Sequence, residues 1–343
     1  MKKAMIAMSG GVDSSVAAYL LQKEEYSVCG GTLHLTGEVQ PDARLAAERL
    51  GLPFYEFDER EAFLSAVISD FAESYERGET PNPCIVCNEK IKFGLLLRHA
   101  RRLGCDFLAT GHYARLQKDA GSGRTLLLRG KDRNKDQSYM LYRLNQEQLS
   151  HSLFPLGDLS KPEVREIAES IGLSNANKPD SQDICFVPDG DYAAVLEALR
   201  GSNYPAGDFV DENGTVLGRH QGVIRYTVGQ RKGLGIALGA PAFVLAKDAA
   251  QNRVILGPEE RLFVSRVWAK NVNWIACDAP SDGMSVTVKT RYTTRESAAR
   301  LHLTETGVVA EFTEPQRAPA PGQAMVFYAD EVVVGGGTIT GGE

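Results

Sequence analysis

No stretch of this 343-residue chain approaches the ~20 consecutive apolar residues that a membrane span requires. The apolar run behind Met1-Lys2-Lys3 breaks at Ser9-Gly10, too soon for the core of a signal peptide. Cysteine is scarce. Six residues spread over the chain do not make a disulfide framework, so the expectation is a cytoplasmic protein with reduced thiols and no membrane partner. One Cys-x-x-Cys is present, Cys84 to Cys87, but there is no second one and no histidine pair to complete four zinc ligands. Half a zinc site and an inert thiol pair stay open as readings of it. No Gly-Lys-Ser/Thr follows the glycine pair near the amino end, which excludes a Walker loop, and the three-glycine spacing of a dinucleotide turn is missing too. Internal repeats and low-complexity segments are absent. The length suits two or three domains with separate cores.

The net charge of −6 argues weakly against a nucleic-acid partner, yet charge is unevenly spread. Residues 38–79 carry eleven acidic and four basic side chains, and residues 84–143 carry thirteen basic and five acidic ones. Such asymmetry marks either an electrostatic footprint or a solvated basic face.

The most informative residues are Ser9-Gly10-Gly11-Val12-Asp13-Ser14. An apolar run, Ala4 to Met8, stops at the glycines, and a helical pattern opens at Ser14, Val16, Ala17, Leu20 and Leu21. A strand therefore feeds a tight turn into a helix N-terminus, whose first amides lack internal partners and carry partial positive charge. Glycines allow close approach of a ligand and the serines supply hydroxyls, so the turn suits a phosphate. Ser-Gly-Gly-x-Asp-Ser resembles the pyrophosphate loop of enzymes that split ATP into AMP and pyrophosphate. A serine-capped glycine turn is the plainer alternative.

Strand-like runs at Ala4–Met8, Val28–Leu33, Phe54–Phe57 and Phe107–Ala109 alternate with helical periodicity at 14–23, 43–50, 62–75 and 90–103. That alternation predicts a doubly wound parallel sheet with ligands at the carboxyl ends of its strands. Further helices are expected at 137–144, 162–171 and 192–199. After about residue 203 the texture becomes β-rich: short runs such as Val223–Thr227, Ala242–Ala246, Val254–Leu256, Val264–Ala269, Ser285–Arg291 and Ala324–Tyr328 lie between glycine and proline turns. The expected division is an α/β domain over 1–202, a small β-rich domain over 203–260 and a C-terminal β-barrel over 261–343.

Thr80-Pro81-Asn82-Pro83 precedes Cys84 and Cys87, and its prolines predict a stiff loop rather than a helix start. Cys87 then falls near the N-terminus of the following helix, with Lys90 and Lys92 close by, and both influences favour its thiolate. Cys185 sits where polar residues ending at Asp183 give way to apolar ones, a loop entering a strand at a site edge. Cys29, Cys105 and Cys277 read as packing residues. Ala109-Thr110-Gly111-His112-Tyr113 shares the sheet edge with the phosphate turn. Lys131–Ser138 is dense in donors suited to phosphates, and Arg291-Tyr292 pairs a cation with an aromatic, a combination that stacks on an unpaired base.

With these motifs in view the chain resembles the bacterial tRNA-specific 2-thiouridylases over nearly its whole length. The resemblance runs through residues 9–14, Thr80–Pro83 with Cys87-Asn88, Ala109–Tyr113, Lys135–Ser138, Asp180-Ser181, Ile184–Phe186, Gly229–Gly235, Arg291-Tyr292 and Pro321–Gln323. It implies an adenine nucleotide alpha-hydrolase-like domain of the PP-loop ATPase type, followed by two β-rich domains that bind tRNA. The implied reaction replaces oxygen by sulfur at C2 of the wobble uridine, position 34, in Lys, Glu and Gln tRNAs. ATP adenylates the oxygen, Mg²⁺ shares the phosphate charge, and AMP and pyrophosphate leave. By the same resemblance Ala7, Met8, Ser9, Gly10, Gly11, Val12, Asp13 and Ser14, with Leu33 and Gly111, hold ATP. Cys185 carries a persulfide received from a sulfur-donor protein, and Cys87 is the partner thiol called the nucleophile, the pair ending as a disulfide. Asn82, Pro83 and Cys84 match target-base positions; His112, Lys135, Asp136, Gln137, Arg291, Tyr292 and Gln323 match tRNA contacts.

Two departures from the family pattern stand out. Many members have Asp at position 84, and cysteine here creates a Cys84, Cys87, Cys185 set able to bind three irons of a [4Fe–4S] cluster. The connection between the strand 28–33 and the helix 43–50 is also shorter than in relatives. Rival readings are another pyrophosphate-loop ligase or amidotransferase, which needs no paired thiols, and a non-catalytic RNA-binding or iron–sulfur scaffold.

Overall fold

The computed structural model describes residues 1–37, 41–173, 184–187 and 190–343. Asp180 and Ser181, part of the motif set above, lie outside the described residues. Strands β1 (Lys3–Ala7), β2 (Ser27–His34), β3 (Phe54–Asp58), β4 (Phe107–Ala109), β5 (Ala114–Lys118), β6 (Thr125–Arg129) and β7 (Ser152–Leu153) fall in the first half of the chain. Five of them form a parallel sheet in the order β3-β2-β1-β4-β7. Alternation along β1 explains the layering. Met5 faces one core with Phe93, Leu97 and Ala100, while Ala4 and Ile6 face the other with Val16, Ala17 and Val164. Fully burying each large side chain of this kind contributes roughly 1.5–3 kcal/mol. Apolar strands covered on both faces are the doubly wound arrangement that the sequence predicts.

Helix α1 (Val12–Lys23) follows β1, and α2 (Pro41–Arg49) follows β2. Two longer helical runs differ from simple α-helices. Arg60–Glu76 widens into a π-helix at Leu64–Ile68, and Pro83–Arg102 does so over Cys87–Leu96. The expected loop before the cysteines ends sooner than the prolines suggest. Pro83 is the first helical residue, where its missing N–H costs nothing, and Asn82 caps the helix by accepting from the Cys84 amide at 3.2 Å. The helix expected at 137–144 shrinks to a 3₁₀ turn at Ser138–Leu141.

The smaller sheet joins Gly207–Val210, Val216–His220, Phe243–Asp248 and Arg253–Gly257, with one parallel pair among antiparallel neighbours. Val223–Thr227, read above as a strand, begins with a 3₁₀ turn at Val223–Arg225, and Val223 and Ile224 bury themselves in the core under that sheet. Its apolar spacing served packing rather than pairing.

Six antiparallel strands from Phe263–Trp274 to Val332–Gly342 close into a barrel, because the first pairs with the last as well as with Gly307–Arg317. One feature was not anticipated. The hairpin β5–β6 joins this barrel sheet through Leu128 opposite Val332. Arg115 donates to Glu331 at 2.7 Å, Arg124 to Asp278 at 2.7 Å, and Arg129 pairs with Glu296. Much of the basic segment is therefore spent inside the molecule: Arg101, Lys131, Arg133 and Arg143 are paired with carboxylates as well. Among the described residues no helix is long and apolar enough to cross a membrane.

Candidate active site

The turn between β1 and α1 has the shape its sequence calls for. Gly10 takes φ +73°, the left-handed region that glycine tolerates. Gly11 stands at the N-cap with no side chain capping the helix, and Ser14 and Ser15 hydroxyls donate to its carbonyl at 3.1 and 3.0 Å. The Ser9 amide and hydroxyl both lie 3.4 Å from the Ser14 hydroxyl, which folds the turn into a concave cradle. Ala7 and Met8 lead into it, with the Met8 amide donating to Gly31 on β2. Val12 anchors α1 in the core.

Asp13 is held by residues that sequence reasoning missed. Lys161 donates to both carboxylate oxygens, at 2.8 and 3.0 Å, and the Tyr113 hydroxyl donates to one at 2.9 Å. Lys161 opens a capped helix, Lys161–Ser170, whose Ser160 and Glu163 form a capping box. The capping pattern was legible, but nothing local says that its lysine reaches a residue so far away in sequence.

Gly111 brings a second loop onto this turn. A Cβ there would lie 2.9 Å from the Asp13 backbone and 3.0 Å from the Ser14 amide, so only glycine permits the approach. His112 packs against Phe93 and Phe154 at ring distances of 5.9 and 6.0 Å and bonds Thr110 at 2.7 Å. Burial first, and then the Lys92 charge, hold its imidazole neutral. Leu33, at the end of β2, packs on the cluster of Phe63, Val67, Val86, Cys87 and Ile91. Phe186, next to Cys185, packs there as well, edge-on to Phe63 at 5.7 Å.

Cys84, Cys87 and Cys185 come together closely enough to sense one another's charge. The expected thiolate is not the resting form. Burial pushes the Cys87 thiol up to about 11, and Cys84 and Cys185 are raised by the same cause. Cys87 lies past the first helical turn and inside an apolar cluster, so desolvation outweighs the helix terminus and the lysine. Lys92 pulls each of the three downward. Lys90, also expected nearby, lines a separate groove of about 610 Å³ with Arg98, Arg143 and Asn273. Among the described residues no three metal-binding side chains are gathered tightly enough to hold an ion, so the three thiols as placed do not fit a [4Fe–4S] cluster.

The segment carrying Asn82 and Pro83 is gripped by both β-rich units. Thr80 donates to Pro321 at 2.7 Å, and the Gln323 amide donates to Thr80 at 2.7 Å. Lys247 donates to Glu79 at 3.2 Å while lying 5.4 Å over the Tyr75 ring, and burial pushes its amine down to about 8. Asn82 also reaches Met140, whose carbonyl takes the Asn88 amide at 3.1 Å. Gln323, one of the tRNA candidates, thus has a structural task. For the tRNA reaction that the resemblance implies, Gln323→Ala is expected to lower turnover about fivefold, the worth of a hydrogen bond of about 1 kcal/mol, with KM for tRNA unchanged. A raised KM at constant kcat would instead mark direct contact.

The remaining candidates line the seam between the α/β unit and the barrel. Asp136 is buried, accepting from the Gly130 and Ser138 amides and the Ser138 hydroxyl, and it orders the loop from within. Gln137 ties that loop to Tyr113 at 3.1 Å. Lys135 and Lys289 both bring positive charge to Tyr292, Lys289 lying 5.6 Å over its ring. Arg291 bridges the two β-rich units by donating to Val228 at 3.0 Å and Ala318 at 2.9 Å.

Comparison with known proteins agrees with this layout. A family model described as tRNA methyl transferase HUP domain matches residues 2–189, a tRNA methyl transferase PRC-barrel domain matches 194–258, and an aminomethyltransferase beta-barrel domain matches 264–339. A tRNA-specific 2-thiouridylase MnmA of Moorella thermoacetica is 49% identical over 351 residues, 98% of each chain. Another of that name from Clostridioides difficile is 46% identical over 353 residues, again 98% of each. Among solved structures, a 4-thiouridine synthetase–RNA complex with bound ATP aligns at 16% identity over 54% of this chain and 45% of its own, with a TM-score of 0.35. With a pyrophosphate-type turn on a parallel sheet, two β-rich units behind it and relatives this similar from end to end, the chain belongs to the tRNA-specific 2-thiouridylase family.

Proposed function

We propose that the protein is an ATP-dependent sulfurtransferase that converts the wobble uridine of Lys, Glu and Gln tRNAs to 2-thiouridine. The observation that carries this reading is the approach of two far-separated cysteines: Cys87 sits in a cluster that receives Leu33 from the strand end beside the phosphate turn and Phe186 from next to the exposed Cys185, and the two thiols feel each other's charge. Paired thiols suit sulfur chemistry, whereas a methyl transfer or a simple ligation has no use for them.

A uridine carbonyl oxygen is a poor leaving group. Residues Ala7 to Ser14 would hold the ATP phosphates while the C2 oxygen attacks the α-phosphate and pyrophosphate departs. The amides at the start of α1 are aimed at that charge. Mg²⁺ is held largely by phosphates and water and needs few protein ligands, so the turn accommodates it. The terminal sulfur of a Cys185 persulfide, supplied by a donor protein, attacks C2, and the C–O bond breaks with its electron pair leaving on AMP. Cys87 then attacks the Cys185 sulfur, giving a Cys87–Cys185 disulfide and leaving C=S on the base. A dithiol reductant returns the enzyme to its starting state. Asn82, Pro83 and Cys84 would border the base. Lys135, Arg291 and Tyr292, with the neutral His112, would face the tRNA.

The test is a reconstitution. Protein, ATP-Mg²⁺, unmodified tRNA and a persulfide donor are combined, and pyrophosphate and 2-thiouridine are measured. The expected result is pyrophosphate release dependent on tRNA, with one thiouridine per pyrophosphate. Release without tRNA, or release with no thiouridine, overturns the reading. Iron analysis of the active protein separates the persulfide route from a cluster.

A further inference from the structure

Lys92 is a half-buried cation with no carboxylate partner and no hydrogen-bond acceptor among the described residues. That is unusual, since lysine is normally solvated or paired, and its neighbours in the basic segment are largely spent on ion pairs. Its position follows from the widened helix. Over Cys87–Leu96 the backbone bonds i to i+5, which stacks Lys92 above Cys87; an α-helix would carry that position well round to another face. The next residue, Phe93, is buried in the core against His112 and Phe154, which fixes the helix rotation. His112 is uncharged and offers no second cation.

We infer that Lys92 is the residue that holds the anionic sulfur in place during its transfer. The inference rests on the function proposed above. An ammonium with no partner among the described residues, whose charge reaches three thiols, suits the sulfur anion that the proposed chemistry forms on them. Among the described residues the ammonium stands alone, as expected where the partner arrives with the sulfur. Lys92 acts by charge alone; the bonds made and broken are those of the persulfide step. The wide helix is explained as well, because π-bulges persist where they serve a site.

The test uses two alkylating agents of similar size, anionic iodoacetate and neutral iodoacetamide. Labelling is read by peptide mass spectrometry at Cys84, Cys87 and Cys185, with Cys277 in the barrel region as internal reference. In the unmodified protein iodoacetate is favoured at the three thiols relative to Cys277. Lys92→Met is expected to lower that preference about tenfold, on the order of one charge removed at close range, and Lys92→Arg to restore most of it. In the reconstituted reaction Lys92→Met keeps tRNA-dependent pyrophosphate release within about threefold and loses about a hundredfold in thiouridine, with KM for ATP unchanged. An iodoacetate preference that is unchanged in Lys92→Met, or in Lys92→Gln should the first variant fold poorly, overturns the inference. The labelling ratio does not require turnover. Should the native protein make no thiouridine, the proposed function fails while the ratio still reports where the charge lies.

Discussion

Replacing Cys185 by serine is expected to abolish thiouridine formation, by about 10³-fold or more, while tRNA-dependent pyrophosphate release survives. In the proposed mechanism adenylation uses the turn at residues 9–14 and neither thiol, so the two half-reactions should separate cleanly. Cys87→Ser is expected to fail at a later step and in a different way. A persulfide still forms on Cys185 and its outer sulfur still attacks C2, but nothing then displaces that sulfur from the enzyme. The product is a Cys185–S–S–C2 linkage between protein and tRNA. It should migrate as a covalent adduct on a denaturing gel and collapse to free enzyme and thiouridine when dithiothreitol attacks the Cys185 sulfur. Cys84→Ser is expected to be nearly silent, within about threefold. Loss of pyrophosphate release in the cysteine variants would contradict the division of labour. An inactive Cys84→Ser enzyme accompanied by iron in the native protein would move the chemistry to a cluster.

The resting state of these thiols gives that experiment a further edge. Burial keeps Cys87 protonated in the free protein, with its thiol pushed up to about 11. A nucleophile that is neutral at rest resists idle oxidation and needs the arrival of substrate or a proton acceptor to become reactive.

The parts of this site that the sequence made legible are those whose chemistry is local. Ser9-Gly10-Gly11 can only be a turn, because an apolar strand ends there and a helix begins. Continuous apolar runs such as Ala4–Met8, separated by amphipathic helices, predict the sheet covered on both faces. What escaped depends on distance. The hairpin β5–β6 has an alternating pattern, Ala114-Arg115-Leu116-Gln117-Lys118, but its partner is the last strand of a barrel that begins far downstream. No local signal says that Arg115, Arg129 and Arg133 answer Glu331 and Glu296 rather than tRNA. The direction of the Cys87 shift escaped for a related reason: Lys90 and Lys92 are visible in sequence, whereas the apolar ring of Phe63, Val67 and Ile91 assembles only in space. The π-helical turns have no residue signature at all, yet they decide which of the two lysines faces the thiols.

The same blindness to distance hid Lys161, and its pairing with Asp13 carries the second large expectation. The two side chains are unequally buried, 8% exposed for Lys161 and 31% for Asp13. Removing one partner leaves the other charged group to be solvated where it stands, which is costly when that group is buried. Asp13→Ala removes the carboxylate that takes two hydrogen bonds from the buried ammonium and is expected to cost about 3 kcal/mol in chemical denaturation. Lys161→Met strands a carboxylate that water already reaches, and roughly 1–2 kcal/mol is expected. The effects on chemistry should run the other way round in kind. Without Lys161, Asp13 keeps, among the described residues, the Tyr113 hydroxyl, and its unbalanced charge beside the proposed phosphate turn is expected to raise KM for ATP by about 10²-fold. With Asp13 removed as well, the repelling carboxylate beside the phosphates is gone, so the double variant should bind ATP better than Lys161→Met alone. A double-mutant cycle on both readouts measures the coupling. Additive effects on stability and on KM would mean that the pair is a bystander to ATP binding. A coupling larger than about 1.5 kcal/mol would place Lys161, a residue no motif pointed to, among the groups that shape the nucleotide turn.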